Sequence, residues 1–561
     1  MSTAGTAPAP APATAPGTAQ PTVRRLVMYT LLFALVVVGA IGLSGLLGRL
    51  LSSGTVLAAG DIAGLARSLA FTLIGGPLAA VLWWVVWRRL HEATERQSLA
   101  WGLYLTAVYT VSLITFSTAL LGMFSSLIGG ERQGWQQRLA NGLVWAGVWA
   151  WHRWMGRHPR KGPVQLATVP TVAGHVFGLI TGVGGAVTAL ADLLDTAVRG
   201  FTDSAALGDP WWRYALQSVV WAAGGGIIWW WHWIHDAGTR LQTGLANVAL
   251  VVVGILGSIL LALGGAGTVL FVLLRLAFDR TDPLSQLLEP LGAALAAAAV
   301  GPLIWTYHRG IAAQRDEKTR QSAKLVTSGA ALAAAATGIG VIVNSALGIA
   351  ATPLAGADTR TLLLGGISSL VVGGPLWWVT WKPLVPPEPT ELGLRGRRVY
   401  LVAVFGLSAI VSVITLLVIG YRVFEFLLDT VSGGGLVDRV RAPLGLLVAT
   451  GLAAGYHFAV WRRDRASVAA AAPYRRRTIG QVMLVADGDP APLSRAIEEV
   501  TGAKVIAWRR ADSGLPAGEA APAAAELTEQ LARALEGLAA ERVLVITGPG
   551  SHLEVIPLAA G

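Results

Sequence analysis

His232, His235 and Asp236 are the residues whose types and spacing come nearest to a metal site. Two imidazoles at i and i+3 fall on one face of a helix, with a carboxylate beside them. Spacing fixes no third ligand, and His91, His152 and His308 sit in similar surroundings on the same expected membrane side. The set reads as interfacial histidine, and no metal site is assigned. Thr547-Gly548-Pro549-Gly550-Ser551 follows a β-branched run, where a Gly-rich turn could cradle a phosphate. It lacks the Lys-Ser/Thr of a P-loop and the G-x-G-x-x-G spacing, so it reads as a tight turn between two strands. No nucleophile elbow, kinase signature or acid–base carboxylate pair is present. The absence of cysteine removes thiolate catalysis, disulfides and cysteine metal sites. No catalytic, cofactor-binding or metal residue is assigned; the chain is expected not to be an enzyme and to need no cofactor.

Ionisable residues inside apolar segments are the next place to look, because burying a charge in lipid needs a reason. Asp192, Asp195, Arg275, Arg422 and Glu425 all fall near segment ends, and no segment carries a carboxylate at its centre. That absence argues against a proton-coupled pump. Fifteen of the 22 tryptophans fall in the last turns of second segments, among them Trp83, Trp84, Trp87, Trp229, Trp230, Trp231, Trp377 and Trp378. Two readings compete: an aromatic-lined ligand site, or an interfacial belt with indole rings at the headgroup level. Neighbouring Arg88, Arg153 and Arg462 favour the belt. Pro77, Pro302, Pro375 and Pro443 could mark the broken helices of a transporter. Their recurrence at similar positions reads instead as kinks that neighbouring helices accommodate.

The elements that carry these residues are set by composition. The chain is 54% hydrophobic and 13% charged, against roughly 25% charged in soluble domains. Runs such as Leu26 to Leu47, Leu99 to Ile128 and Leu245 to Leu274 are long enough for a hydrocarbon core about 30 Å thick. The net charge of +11 does not point to nucleic acid, because the basic residues flank the apolar runs, where anionic lipid headgroups would lie.

The second segments close on a recurring ending. Gly75-Gly76-Pro77-Leu78 runs to Trp83-Trp84-Val85-Val86-Trp87-Arg88-Arg89, and Gly373-Gly374-Pro375-Leu376 to Trp377-Trp378-Val379-Thr380-Trp381-Lys382. Weaker copies end near His152, His232, His308 and Trp461. Six copies at a near-constant period indicate tandem repeats. The expected fold is a polytopic bundle of about twelve transmembrane helices from six two-helix repeats, with a small C-terminal α/β domain. The expected divisions are a disordered tail at 1–22, repeats at 23–97, 98–161, 162–240, 241–318, 319–390 and 391–465, a basic linker at 466–477, and a soluble domain at 478–561. In that domain, runs at Val482–Val485, Lys504–Ala507, Val543–Ile546 and Leu553–Ile556 alternate with helical spacing at Leu493–Val500 and Leu527–Leu538. Ser513 to Ala525 is expected to be a loop. A cleaved signal peptide fits poorly, since the first apolar run exceeds the usual length and completes the first repeat.

The junctions between repeats hold 25 Lys and Arg, the loops within repeats 12. The positive-inside rule therefore places the junctions and both termini in the cytoplasm and the chain in the plasma membrane. Thr478 to Gly561 carries 11 acidic and 6 basic residues, so an interaction with a protein partner or with the basic junctions is expected.

The hairpins resemble a bacterial membrane family, domain of unknown function 5671. The resemblance rests on the entries Arg24-Arg25-Leu26-Val27-Met28-Tyr29 and Arg397-Arg398-Val399-Tyr400-Leu401, a central Gly/Pro, and the exits Trp87-Arg88-Arg89 and Trp461-Arg462-Arg463. It covers roughly residues 23 to 465 and implies no activity. The expected function is a structural or interaction platform in the bilayer. The alternative is a transporter or binding protein for an apolar or weakly polar small molecule or lipid.

Overall fold

The computed structural model describes residues 19–52, 62–131, 133–201, 210, 212–351, 357–384, 395–428, 435–471, 479–486, 490–510, 530–531, 533–535, 538, 540–548 and 552–558. Its first compact unit, Met1–Phe458, is helical. The helices are α1 (Ala19–Leu51), α2 (Ile62–Arg89), α3 (Leu99–Ile128), α4 (Trp135–Gly156), α5 (Val169–Phe201) and α6 (Trp212–Trp230). They continue as α7 (Gly244–Phe278), α8 (Leu291–Ala313), α9 (Glu317–Ala351), α10 (Ala357–Trp381), α11 (Arg395–Leu428) and α12 (Leu436–Ala471). Ten helical spans among the described residues are long and apolar enough to cross a membrane. The two long helices outside that set are α4, which carries Gln136, Gln137, Arg138 and Asn141, and α6, with Arg213, Gln217 and a run of glycines. The protein is a multi-pass membrane protein.

Two boundaries differ from the sequence expectation. Helix α1 begins at Ala19, inside the expected tail, because Pro21 falls in its first turn, where a missing N–H breaks no helical bond. Helix α12 runs to Ala471, through the first half of the expected linker. The prolines Pro302, Pro375 and Pro443 lie inside continuous helices. Pro77 follows a wide π turn, Phe71–Gly75, that keeps α2 continuous.

Consecutive helices pair as hairpins, most closely α3 with α4, α5 with α6, α7 with α8 and α9 with α10. Glycine makes the approach possible. A Cβ on Gly182 or Gly225 would run into the facing backbone of the α5–α6 pair, and one on Gly338 or Gly373 into that of α9–α10. A second order of packing groups the hairpins in pairs. Helix α4 returns against α1, and α8 against α5. In the last group α12 meets α9 where Gly445 and Gly340 touch backbone to backbone. Among the described residues the helices thus form three successive four-helix units, α1–α4, α5–α8 and α9–α12, in each of which the fourth helix packs on the first. Successive hairpins alternate in role.

Junctions meet junctions. Arg25 Nε donates to Glu95 Oε2 at 2.8 Å, and Lys161 Nζ donates to the Trp87 carbonyl at 3.1 Å. The helix ends on the loop side meet one another: Gln137 donates to the Ser44 carbonyl at 3.3 Å, and Gln217 to that of Ser125 at 2.9 Å.

The second compact unit, Ala459–Gly561, holds a four-stranded sheet of order β2-β1-β3-β4. Strand β1 (Ile479–Ala486) is parallel to β2 (Lys504–Arg509) and to β3 (Ala540–Gly548); β4 (His552–Leu558) is antiparallel to β3. Helix α13 (Ala491–Thr501) and the helical residues Leu531 and Leu535 cover one face, burying Val482, Leu484, Val543 and Val545. The expected loop at Ser513–Ala525 lies outside the described residues.

Candidate functional site: three aromatic-ended cavities

The exits of the odd repeats share one spacing, Trp-Trp-x-x-Trp: Trp83-Trp84-x-x-Trp87, Trp229-Trp230-x-x-Trp233 and Trp377-Trp378-x-x-Trp381. On a helix, i and i+4 share a face and i+1 points away. The first and third indoles of each set turn inward, towards the fourth helix of the same unit. The second is about half exposed in every copy: Trp84 52%, Trp230 49% and Trp378 56%. The even repeats answer with an aromatic residue followed by histidine: Trp151-His152, Tyr307-His308 and Tyr456-His457.

The two patterns meet in the same way three times. Trp83 packs edge-on to Trp151 at 5.9 Å, Trp229 to Tyr307 at 5.7 Å, and Trp377 to Tyr456 at 5.6 Å between ring centroids. The third indole completes the clamp. Trp233 Nε1 donates to Tyr307 Oη and Trp381 Nε1 to Tyr456 Oη, both at 2.9 Å. In the first unit, where tryptophan replaces tyrosine, Trp87 packs on Trp151 at 6.4 Å instead.

Each clamp closes one end of a cavity bounded by the first, second and fourth helices of its unit. The cavities measure 560, 350 and 370 Å³ in chain order. Their walls are small or aliphatic: Val36, Gly76 and Val144 in the first, Leu179, Gly226 and Val300 in the second, Ile339, Gly374 and Leu452 in the third. No Asp, Glu, Lys or Arg lines any of the three.

The histidines form the ends of these cavities and are themselves buried. His152, His308 and His457 each donate Nδ1–H to the carbonyl four residues earlier, at 2.7, 2.8 and 2.9 Å, since a carbonyl can only accept. That bond fixes the tautomer and leaves Nε2 as an acceptor in the neutral ring. Tyr104 Oη occupies it at His152, at 3.0 Å. His232 follows the same rule: Nδ1–H to the Ile228 carbonyl at 2.8 Å, Nε2 facing Tyr109 Oη at 2.7 Å. Gly254 is required for close approach, because a Cβ there would overlap the His308 ring.

Of the residues that sequence spacing brought forward as metal ligands, His232 turns away from the other two, while His235 Nδ1 stays 3.1 Å from Asp236 Oδ1. His232 turns to Tyr109, whereas His235 stacks on Trp231 at 4.5 Å. Asp236 is claimed by arginine: Arg153 binds both carboxylate oxygens at 2.8 and 3.1 Å, and Arg157 adds a bond of 2.6 Å. Burial alone would raise the Asp236 carboxyl, but the hydrogen bonds from Arg153, His235 and Arg157 outweigh it and hold it well below the usual carboxylate range. Among the described residues no group of three or more His, Cys, Asp or Glu could hold a metal.

The charges near helix ends are paired. Asp192 accepts from Ser218 at 2.9 Å, Arg275 binds Asp282 at 2.5 Å, and Arg422 binds Glu425 at 3.3 Å. Asp195 lies against Gly292. His91 is exposed. The Gly-rich segment after β3 joins antiparallel neighbours, with Gly548 in register with His552; residues 549–551 lie outside the described residues. Sequence reasoning did not single out Tyr104, Tyr109, His175 or His457. The alternation of Trp-Trp with aromatic-His exits was the available signal.

The family described as domain of unknown function (DUF5671) matches residues 25–164 and again 324–452. The two matches cover most of the first and third four-helix units; the second unit, of the same architecture, lies between them. No curated protein and no solved structure is detectably similar to the chain.

Proposed function

We propose that this chain, a membrane protein carrying two DUF5671 segments, is a non-catalytic binding platform whose three units each hold an apolar or weakly polar molecule, such as the chain of a lipid. The observation that supports this reading is the repetition itself. Three stretches of different sequence build an uncharged cavity of 350 to 560 Å³ between the same three helices and end it with the same edge-on aromatic pair. The clefts open at the apolar surface of the bundle, with Leu143, Tyr307 and Leu452 exposed at their edges, where the chain of a lipid can enter from the side. The helices run unbroken through Pro302, Pro375 and Pro443, which favours binding over transport. The plasma membrane with cytoplasmic termini is the setting proposed from the excess of Lys and Arg in the junctions.

The test uses glycines that line the cavities and have room for a side chain. A Cβ on Gly76 or Gly226 meets nothing within 4 Å, and one on Gly374 meets only the Leu370 side chain at 3.6 Å. Gly76→Leu, Gly226→Leu and Gly374→Leu should fill the cavities without loss of folding, since Leu also has the better helix propensity. Native mass spectrometry of the purified protein reads retained lipid. Each substitution is expected to remove part of the bound lipid and the triple variant most of it, with the melting temperature unchanged or raised. Undiminished lipid retention in a folded triple variant would overturn the proposal.

A further inference from the structure

The C-terminal sheet has two unlike faces. One is sealed by α13, Leu531 and Leu535. No described helix covers the other, and strand alternation and register give its composition. Met483 lies between Ile506 and Leu544, with Ile556 beyond; Val485 lies between Trp508 and Ile546, with Glu554 beyond. These apolar side chains are only half-buried, and Trp508 is 63% exposed. The row nearest the start of β1 is Lys504, Gln481 and Arg542.

The open face is basic. Among the described residues, Glu554 is the one acid on it, against Lys504 and Arg542. On the covered side the exposed charges balance, Glu498 and Glu499 against Arg495 and Arg533. The basic row lies at the end of the sheet where the chain enters, directly after Arg475-Arg476-Arg477. The tether is short: α12 ends at Ala471 and β1 begins at Ile479, so the residues between reach at most about 25 Å. The membrane span of α12 ends near Ala466.

We propose that this open face docks on the lipid surface of the membrane that α12 enters. The apolar rows and Trp508 would sit at the headgroup boundary, and Lys504 and Arg542 would meet anionic headgroups. Indole and basic side chains are suited to that boundary. The inference is independent of the cavity reading, since it concerns another part of the chain.

The absence of cysteine makes a direct test simple. Single-cysteine proteins carrying Ile556→Cys or Met483→Cys, with Glu499→Cys as control, are labelled with an environment-sensitive fluorophore. Each full-length chain is placed alone in a nanodisc of phosphatidylcholine with phosphatidylglycerol, with or without nitroxide-headgroup lipid. Labels at 556 and 483 should be blue-shifted and quenched by the nitroxide lipid, and the label at 499 neither. Replacing phosphatidylglycerol by phosphatidylcholine, or introducing Lys504→Glu with Arg542→Glu, should reduce the quenching. A water-like spectrum at 556 and 483 would overturn the proposal. So would a blue shift without lipid quenching, which would assign the face to a protein surface instead.

Discussion

Asp236 shows how the membrane unit handles a carboxylate that has little water. Its side chain is 4% exposed and shared by Arg153 and Arg157, so it ties α4 to the end of the second hairpin's neighbour. Asp236→Asn would leave Arg153, itself mostly buried, short of a partner. A loss of about 1–3 kcal/mol is expected, the usual penalty for an unsatisfied buried polar group. The pH dependence follows from the lowered carboxyl. A group depressed in the folded state stabilises above its unfolded value, about 3.9 for Asp, and that contribution is lost as pH falls through the folded value. Thermal unfolding in detergent should show the wild type ahead of Asp236→Asn at neutral pH, with the gap closing only below about pH 4. A gap unchanged by acid would show that charge is not what Asp236 contributes.

At the scale of the helix, the Trp-Trp-x-x-Trp exit assigns different work to adjacent indoles. Trp83 faces Trp151 and lines the first cavity, whereas Trp84, one residue on, is exposed with Arg88 over its ring at 3.8 Å. Trp83→Ala should therefore lower lipid retention in the first unit, and Trp84→Ala should leave it unchanged, measured by the same mass spectrometry. Equal effects would refute the division. Under the proposed function, the two readings available from sequence, ligand site and interfacial belt, fall to different positions of one motif. The helices themselves were legible, because a run of twenty apolar residues has few other fates and the exits recur. The pairing of hairpins was not. Helix α4 meets α1 across about a hundred residues of chain, and packing between two helices of a bundle leaves no local periodicity to read. Glu95 illustrates the same limit. In sequence it is one acid in a polar junction; in the structure it is 4% exposed, receiving Arg25 at 2.8 Å and Tyr29 at 2.9 Å.

At the scale of the whole chain, the separation of junction contacts from loop contacts implies that alternate connections lie on opposite sides of the bilayer. In this cysteine-free background, Glu131→Cys in a loop and His91→Cys in a junction should differ in access to an impermeant thiol reagent. With cytoplasmic termini, position 131 is labelled in intact cells and position 91 only after permeabilisation; the reverse pattern would invert the orientation. The three units also differ from three subunits of an oligomer in one respect. Being joined in a single polypeptide, they are free to diverge, and they have: the first cavity is 560 Å³ and ends in Trp151, the other two 350 and 370 Å³ and end in tyrosine. A titration with one ligand should then follow the sum of unequal sites. Its saturation curve would be shallower than a single hyperbola, spreading response over a wider range of concentration than three identical sites could cover.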